Sequence, residues 1–67
     1  MRIIDLESNE VTRAHDLYKS IQFDVAMCDN VKDAASHMGC KQKDIKVDHK
    51  RYIVIDDDAR KACVCTV

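Results

Sequence analysis

The chain has 67 residues, of which 46% are hydrophobic and 34% charged, with a formal net charge of −1. A chain this short buries only about 60% of its unfolded surface, so we expect one thin-cored domain over residues 1–67, without a deep catalytic cleft. No apolar run approaches the roughly 20 residues that span a bilayer, and the N-terminus turns polar within a few residues. These features predict a cytoplasmic protein that does not contact membranes.

The first half of the chain predicts a strand, a helix and a second strand. Residues 2–6 are rich in branched aliphatic side chains and read as a strand. Ser8 or Asn9 is expected to cap a helix whose apolar residues recur at helical spacing as far as about Ile21. In residues 22–28, apolar and polar side chains then alternate, as in a half-buried strand.

A second, short helix is predicted immediately after this strand. Asp29 and Asn30 suit its N-terminus, and Gly39, the only glycine of the chain, suits a left-handed C-cap. Apolar side chains at helical spacing mark the buried face of this helix: Val31, Ala34, Ala35 and Met38. A helix of this length must be held by tertiary packing.

The second half of the chain predicts three more strands. Residues 45–47 and 52–55 bracket a polar connection, which is typical of a β-hairpin. Residues 52–55 are apolar on both faces and suit a central strand, and residues 62–67 form the last strand after an acidic turn at residues 56–60. We therefore predict an α+β domain with a small, mostly antiparallel sheet, two short helices and the order β-α-β-α-β-β-β.

Positive charge is concentrated in residues 31–51, although the chain as a whole is nearly neutral. Six cations lie there, at Lys32, Lys41, Lys43, Lys46, Lys50 and Arg51, against three acids at Asp33, Asp44 and Asp48. A local basic patch of this kind supports polyanion binding. The alternative interpretation is a solvated face whose lysines keep a small protein in solution.

The same segment carries the order that a helix–turn–helix requires, with two adjacent alanines, a glycine turn and a spaced isoleucine, Ile45. Residues 23–54 resemble the helix–turn–helix repeats of phage and intron-encoded nucleases and the winged modules of small phage regulators. Those modules usually have an apolar residue about three positions after the isoleucine, where this chain has Asp48. The resemblance implies a non-enzymatic nucleic-acid-binding regulator or accessory protein. Its contacts would come from Lys41, Gln42, Lys43, Lys46, His49, Lys50 and Arg51.

Four cysteines, Cys28, Cys40, Cys63 and Cys65, are predicted to be free buried thiols, because nothing in the sequence indicates secretion. Cys63 and Cys65 would point the same way in a strand. A zinc site built from His37, Cys40, Cys63 and Cys65 is an alternative, but its spacing matches no common zinc finger. We therefore expect no metal and no cofactor.

No pairing of cysteine, histidine and aspartate belongs to a catalytic motif, so the chain is not predicted to be an enzyme. The alternative to nucleic-acid binding is a small phage-type inhibitor or adaptor that binds a host protein. Its acidic surfaces would be supplied by Glu7, Glu10 and Asp16 and by residues 56–58.

Overall fold

The apolar segments of the sequence become the strands of one four-stranded sheet in the computed structural model, which describes residues 1–47 and 50–66. The helices and strands, in chain order, are β1 (Arg2–Asp5), α1 (Val11–Ser20), β2 (Asp24–Cys28), α2 (Val31–Met38), β3 (Tyr52–Asp56) and β4 (Lys61–Cys65). Single turns of 3₁₀ helix lie at Ser8–Glu10 and Gln42–Asp44. The predicted α+β class with two short helices is confirmed.

The strand order in the sheet is β1-β3-β4-β2. β3 is antiparallel to both of its neighbours, whereas β2 runs parallel to β4, so the sheet is mostly antiparallel, as predicted. The apolar run at residues 52–55 occupies a central strand and is buried throughout, which confirms the expectation from its composition. Its companion β4 is buried equally well from Ala62 onward.

The two helices cover opposite faces of the sheet. Side chains alternate between the faces along each strand, so Ile53, Ile55 and Val64 pack toward α1, whereas Val54 and Cys63 pack toward α2. Each face therefore has its own apolar cluster. The α2 face also receives Ile45, which is 5% exposed.

The hairpin predicted at residues 45–55 does not form. Residues 45–47 have no regular secondary structure, because both sides of β3 are already taken, by β1 and by β4. The hairpin that does form joins β3 to β4 through residues 57–60. The tip of the predicted hairpin includes Asp48 and His49, which lie outside the described residues.

The predicted N-terminal cap is wrong for α1, whereas both predicted ends are confirmed for α2. At α1 the expected cap by Ser8 or Asn9 is wrong, because these residues belong to a 3₁₀ turn in which the Glu7 N–H donates to Glu10 Oε1 at 2.8 Å. At α2 the prediction is confirmed. The Asn30 side chain accepts from the Asp33 N–H at 2.8 Å, and Gly39 adopts φ 72°.

Gly39→Ala is expected to destabilise the protein by about 1–2 kcal/mol, because an L-residue pays roughly that cost in the left-handed region. A Cβ at this position would meet nothing within 4 Å, so the loss is conformational rather than steric. Urea unfolding measures it. Gly39→Asn is the matched control and should cost less, since asparagine enters this region more easily. Equal losses for the two variants would contradict the explanation.

Candidate functional site: a cationic loop beside a sulfur cluster

The residues predicted to bind nucleic acid lie in the connection from α2 to β3, and residues 41–51 are named here the cationic loop. The loop leaves α2 through Gly39, where the Cys40 N–H donates to the Ala35 carbonyl at 3.0 Å. Its far end is fixed at Arg51, whose carbonyl accepts from the Leu6 N–H at 3.0 Å. Both ends are thus tied to the fold.

The middle of the cationic loop is also anchored. The 3₁₀ turn closes through bonds from the Asp44 and Ile45 N–H groups to the carbonyls of Lys41 and Gln42, at 3.0 and 3.1 Å. Asp44 Oδ2 accepts from the Lys41 N–H at 3.3 Å. Because Ile45 is buried in the α2-side cluster, the turn is held against the domain and its polar side chains face outward.

The charges of the cationic loop are not neutralised within the described chain. Lys41, Lys43, Lys46 and Lys50 are exposed, and the ion pairs among described residues join Arg2 to Asp57 and His15 to Asp16. Arg51 differs, since its Nε is buried and has no hydrogen-bond partner among those residues. Lys41, Lys43, Lys46 and Lys50 therefore present their charges to solvent.

The cationic loop lacks the second helix of a helix–turn–helix. The segment after Gly39 supplies only the 3₁₀ turn Gln42–Asp44, whereas a recognition helix must extend along the major groove. Lys41, Gln42 and Lys43 do meet on this turn, and Lys46 follows it in irregular backbone. Lys50 and Arg51 lie at the end of the loop, directly before β3, and His49 lies outside the described residues.

A group of sulfurs lies under α2, on the face of the sheet that also buries Ile45. Cys28 and Cys63 are joined as a disulfide, and Cys40 and Cys65 are free. The prediction of free thiols is therefore wrong for Cys28 and Cys63. The reason is the parallel pairing of β2 with β4, which sets Cys28 opposite Cys65 and near Cys63.

The four residues considered from the sequence as zinc ligands do not come together in the structure. The His37 ring contacts the Asp24 carbonyl, with Nε2 3.1 Å from the oxygen. The sulfurs that do meet are those of Cys28, Cys63 and Cys65, all within 4.8 Å of one another. Cys63 and Cys65 share a face, as predicted, but the sequence offered no signal for Cys28, since only the strand register brings it there.

Tyr52 lies beside this sulfur group and is 2% exposed. Burial and a hydrogen bond with Cys65 raise the pKa of Tyr52. Burial likewise raises the pKa of the Cys65 thiol, although the bond from Tyr52 acts in the opposite direction. Both groups are therefore held in their protonated forms.

Stability is expected to fall as the pH rises above about 10, the ordinary pKa of tyrosine, since the unfolded chain then loses a proton that folded Tyr52 retains. The raised pKa of Cys65 lowers stability in the same way, and its effect begins at lower pH because the ordinary pKa of cysteine is below that of tyrosine. Thermal melts between pH 8 and pH 11 measure the effect. Tyr52→Phe should lose less stability over this range than the wild type, and an equal loss would show that Tyr52 does not cause it.

The acidic residues proposed for protein docking are partly used inside the fold. Arg2 binds Asp57 through two hydrogen bonds of 2.9 and 3.0 Å, which lowers the pKa of that carboxyl group. Asp56 Oδ1 accepts from the N–H groups of Asp58 and Ala59 at 3.1 Å in the β3–β4 turn. These carboxylates stabilise the turn and tie it to β1.

An apolar groove of about 370 Å³ lies on the α1 face beside β1, an edge strand. Ile4 and Leu17 contribute to it and are 43% and 57% exposed. Glu10 and Arg13 place opposite charges in its lining. This groove was not predicted, because the apolar spacing of α1 suggested a helix face packed on the sheet, whereas Leu17 on that helix is exposed.

Within the described residues, no helix is long and apolar enough to cross a membrane. No protein-family model, no curated protein and no solved structure matches this chain.

Proposed function

We propose that this protein is a non-enzymatic nucleic-acid-binding regulator or accessory protein, and that the cationic loop binds the phosphate backbone with little sequence preference. The observation that carries the proposal is the set of exposed lysines in the loop, which have no carboxylate partner among the described residues. Residues 41–51 carry five cations and two acids, so their net charge is +3.

The form of the loop supports backbone contacts rather than base readout. Lysine is a flexible point charge that suits phosphate, and phosphate contacts fix a protein on a duplex without reading its sequence. The single 3₁₀ turn at Gln42–Asp44 is too short to lie along the major groove of DNA as a recognition helix does.

Fluorescence anisotropy with a labelled duplex at about 50 mM salt tests the proposal, because backbone binding is strongest at low salt. We expect binding in the micromolar range, typical of non-specific contacts, and similar affinities for two duplexes of unrelated sequence. Absence of binding to duplex DNA, single-stranded DNA and RNA at low salt would overturn the proposal.

A second candidate is the inhibitor or adaptor that binds a host protein. The observation that favours it is the apolar groove beside β1, with Leu17 at its rim. This candidate predicts a stoichiometric protein partner from the native host whose binding is lost in Leu17→Asp. Lys43→Gln, which lies away from the groove, should leave that binding unchanged, whereas loss in Lys43→Gln alone would contradict this candidate.

A further inference from the structure

Three cysteine side chains converge between the sheet and α2, at Cys28, Cys63 and Cys65. Cys63 and Cys65 occupy alternate positions of β4 and so share a face, and the register of β2 sets Cys28 opposite Cys65. Their exposed fractions are 6%, 0% and 0%, respectively. The three sulfurs thus form one buried triangle, which we name the sulfur triangle.

One edge of the sulfur triangle already has the length that a metal site needs. The Sγ atoms of Cys63 and Cys65 are 3.9 Å apart. Three sulfurs placed at about 2.3 Å around one ion in a plane would lie about 4.0 Å from one another. Cys28 Sγ lies within 4.8 Å of Cys65 Sγ but is bonded to Cys63 Sγ, so the triangle is completed only after reduction, when the Cys28 side chain can move away from Cys63.

The surroundings of the sulfur triangle are mostly apolar, but the Tyr52 hydroxyl lies beside Cys65, and the negative charge of Asp33 helps to raise the pKa of the Cys65 thiol. The small side chains of Ala34 and Ala35 on α2 are buried in the same cluster, and Tyr52 lies directly opposite Cys65 on the neighbouring strand. A hydroxyl donor to a metal-bound sulfur is a typical outer-shell contact. Thiolates in an apolar pocket select soft ions over hard ones such as Mg²⁺ or Ca²⁺.

We propose that the sulfur triangle, when reduced, binds one thiophilic metal ion through Cys28, Cys63 and Cys65, and that the Cys28–Cys63 disulfide is its oxidised, metal-free form. A dithiol reductant supplies two electrons and two protons, which cleave the disulfide into two thiols while the reductant becomes a disulfide. A divalent ion then replaces three thiol protons and leaves one net negative charge. Tyr52 stabilises that charge by donating to Cys65.

Oxidation reverses the binding. A small-molecule disulfide accepts two electrons and departs as two thiolates, the bond between Cys28 and Cys63 forms again, and the ion is released. Cys65 then takes up one proton. The site therefore senses thiol redox state through Cys28 and Cys63, while Cys65 remains a ligand only. This inference does not depend on nucleic-acid binding.

Cd²⁺ is a suitable probe, because its bonds to thiolates absorb in the ultraviolet. Reduced protein titrated without oxygen should develop this absorption and saturate at one equivalent, whereas oxidised protein should not. Cys65→Ser should weaken binding by more than the roughly 10–100-fold typical of losing an outer-shell partner, and Tyr52→Phe by about that factor. Cys40→Ser is the matched control, since Cys40 lies outside the triangle, and should bind as the wild type does.

Alkylation of the reduced wild-type protein tests whether the three cysteines bind the ion, even if Cys65→Ser fails to fold. One equivalent of Cd²⁺ should protect Cys28, Cys63 and Cys65 from a thiol reagent during slow opening of the fold, and leave Cys40 reactive. Mass spectrometry of the labelled peptides identifies the protected residues. The inference is overturned if no absorption saturates at one equivalent, if Cys40→Ser abolishes the signal, or if Cd²⁺ fails to protect the triangle.

Discussion

Replacing Lys41, Lys43 and Lys46 together by glutamine is expected to lower the affinity for duplex DNA by on the order of 10²–10³-fold near 0.1 M salt. Each lysine that neutralises one phosphate releases a condensed counterion and adds about 0.9 to the slope of log affinity against log salt. The three side chains are exposed on the cationic loop, so their replacement should not disturb the core. Anisotropy titrations at several salt concentrations measure both quantities.

The matched control replaces Arg13, Lys19 and Lys61 by glutamine, because these cations lie outside the basic segment 31–51 and the change in net charge is the same. The control should retain most of the affinity and most of the salt slope. Equal losses in the two triple variants would mean that overall charge, rather than the loop, determines binding. Arg51 is kept out of this comparison because its partly buried side chain also packs against the domain.

Reduction of the Cys28–Cys63 disulfide is expected to lower the free energy of unfolding by about 4 kcal/mol, as loop closure in the unfolded chain predicts for a separation of this size. The two cysteines are 35 residues apart in the sequence. A loss of that size matters in a small domain, whose total stability is of order 5–15 kcal/mol. Urea unfolding with and without a dithiol reductant, in the presence of a chelator, measures the difference.

Cys40→Ser should leave the effect of the reductant unchanged, because Cys40 is a free thiol outside the disulfide. Cys28→Ala should be insensitive to the reductant, since it cannot form the bond. Full sensitivity in Cys28→Ala would contradict the assignment of Cys28 and Cys63. If the metal inference also holds, one equivalent of Cd²⁺ should restore part of the stability that reduction removes, because it binds the folded chain more tightly than the unfolded chain.

Local sequence patterns correctly predicted those helices and strands whose formation depends mainly on residues close by in the chain. The second helix was predicted from a capping side chain, an apolar face and a stop, and the structure confirms all three at Asn30, Ala34 and Gly39. The central strand at residues 52–55 was predicted because it is apolar on both faces, and it is buried on both. These signals lie within about ten residues of the feature that they predict.

Features that depend on distant pairing were not predictable in this way. Ile45 and Val47 alternate with a lysine as a strand would, but their partner strand already has a neighbour on each side. Ile45 instead serves as an anchor for the cationic loop. The disulfide was missed for the same reason, because Cys28 meets Cys63 only through a parallel pairing that no local pattern encodes.

The cationic loop was predicted in composition but not in shape. The sequence placed its lysines together, and the structure holds Lys41 and Lys43 on one exposed turn. The recognition helix expected from the alanine pair and Gly39 is reduced to that turn, since Ile45 turns inward directly after it. This difference favours binding to phosphates over reading of bases.

Mapping the binding surface by NMR tests most directly whether the cationic loop is the nucleic-acid interface. The ¹⁵N-labelled protein is titrated with a short duplex at low salt, and amide shifts are followed residue by residue. We predict that the largest changes occur at residues 41–47 and 50–51 and diminish as salt is added. Changes confined to the groove around Leu17, or no saturable change anywhere, would contradict the proposed function.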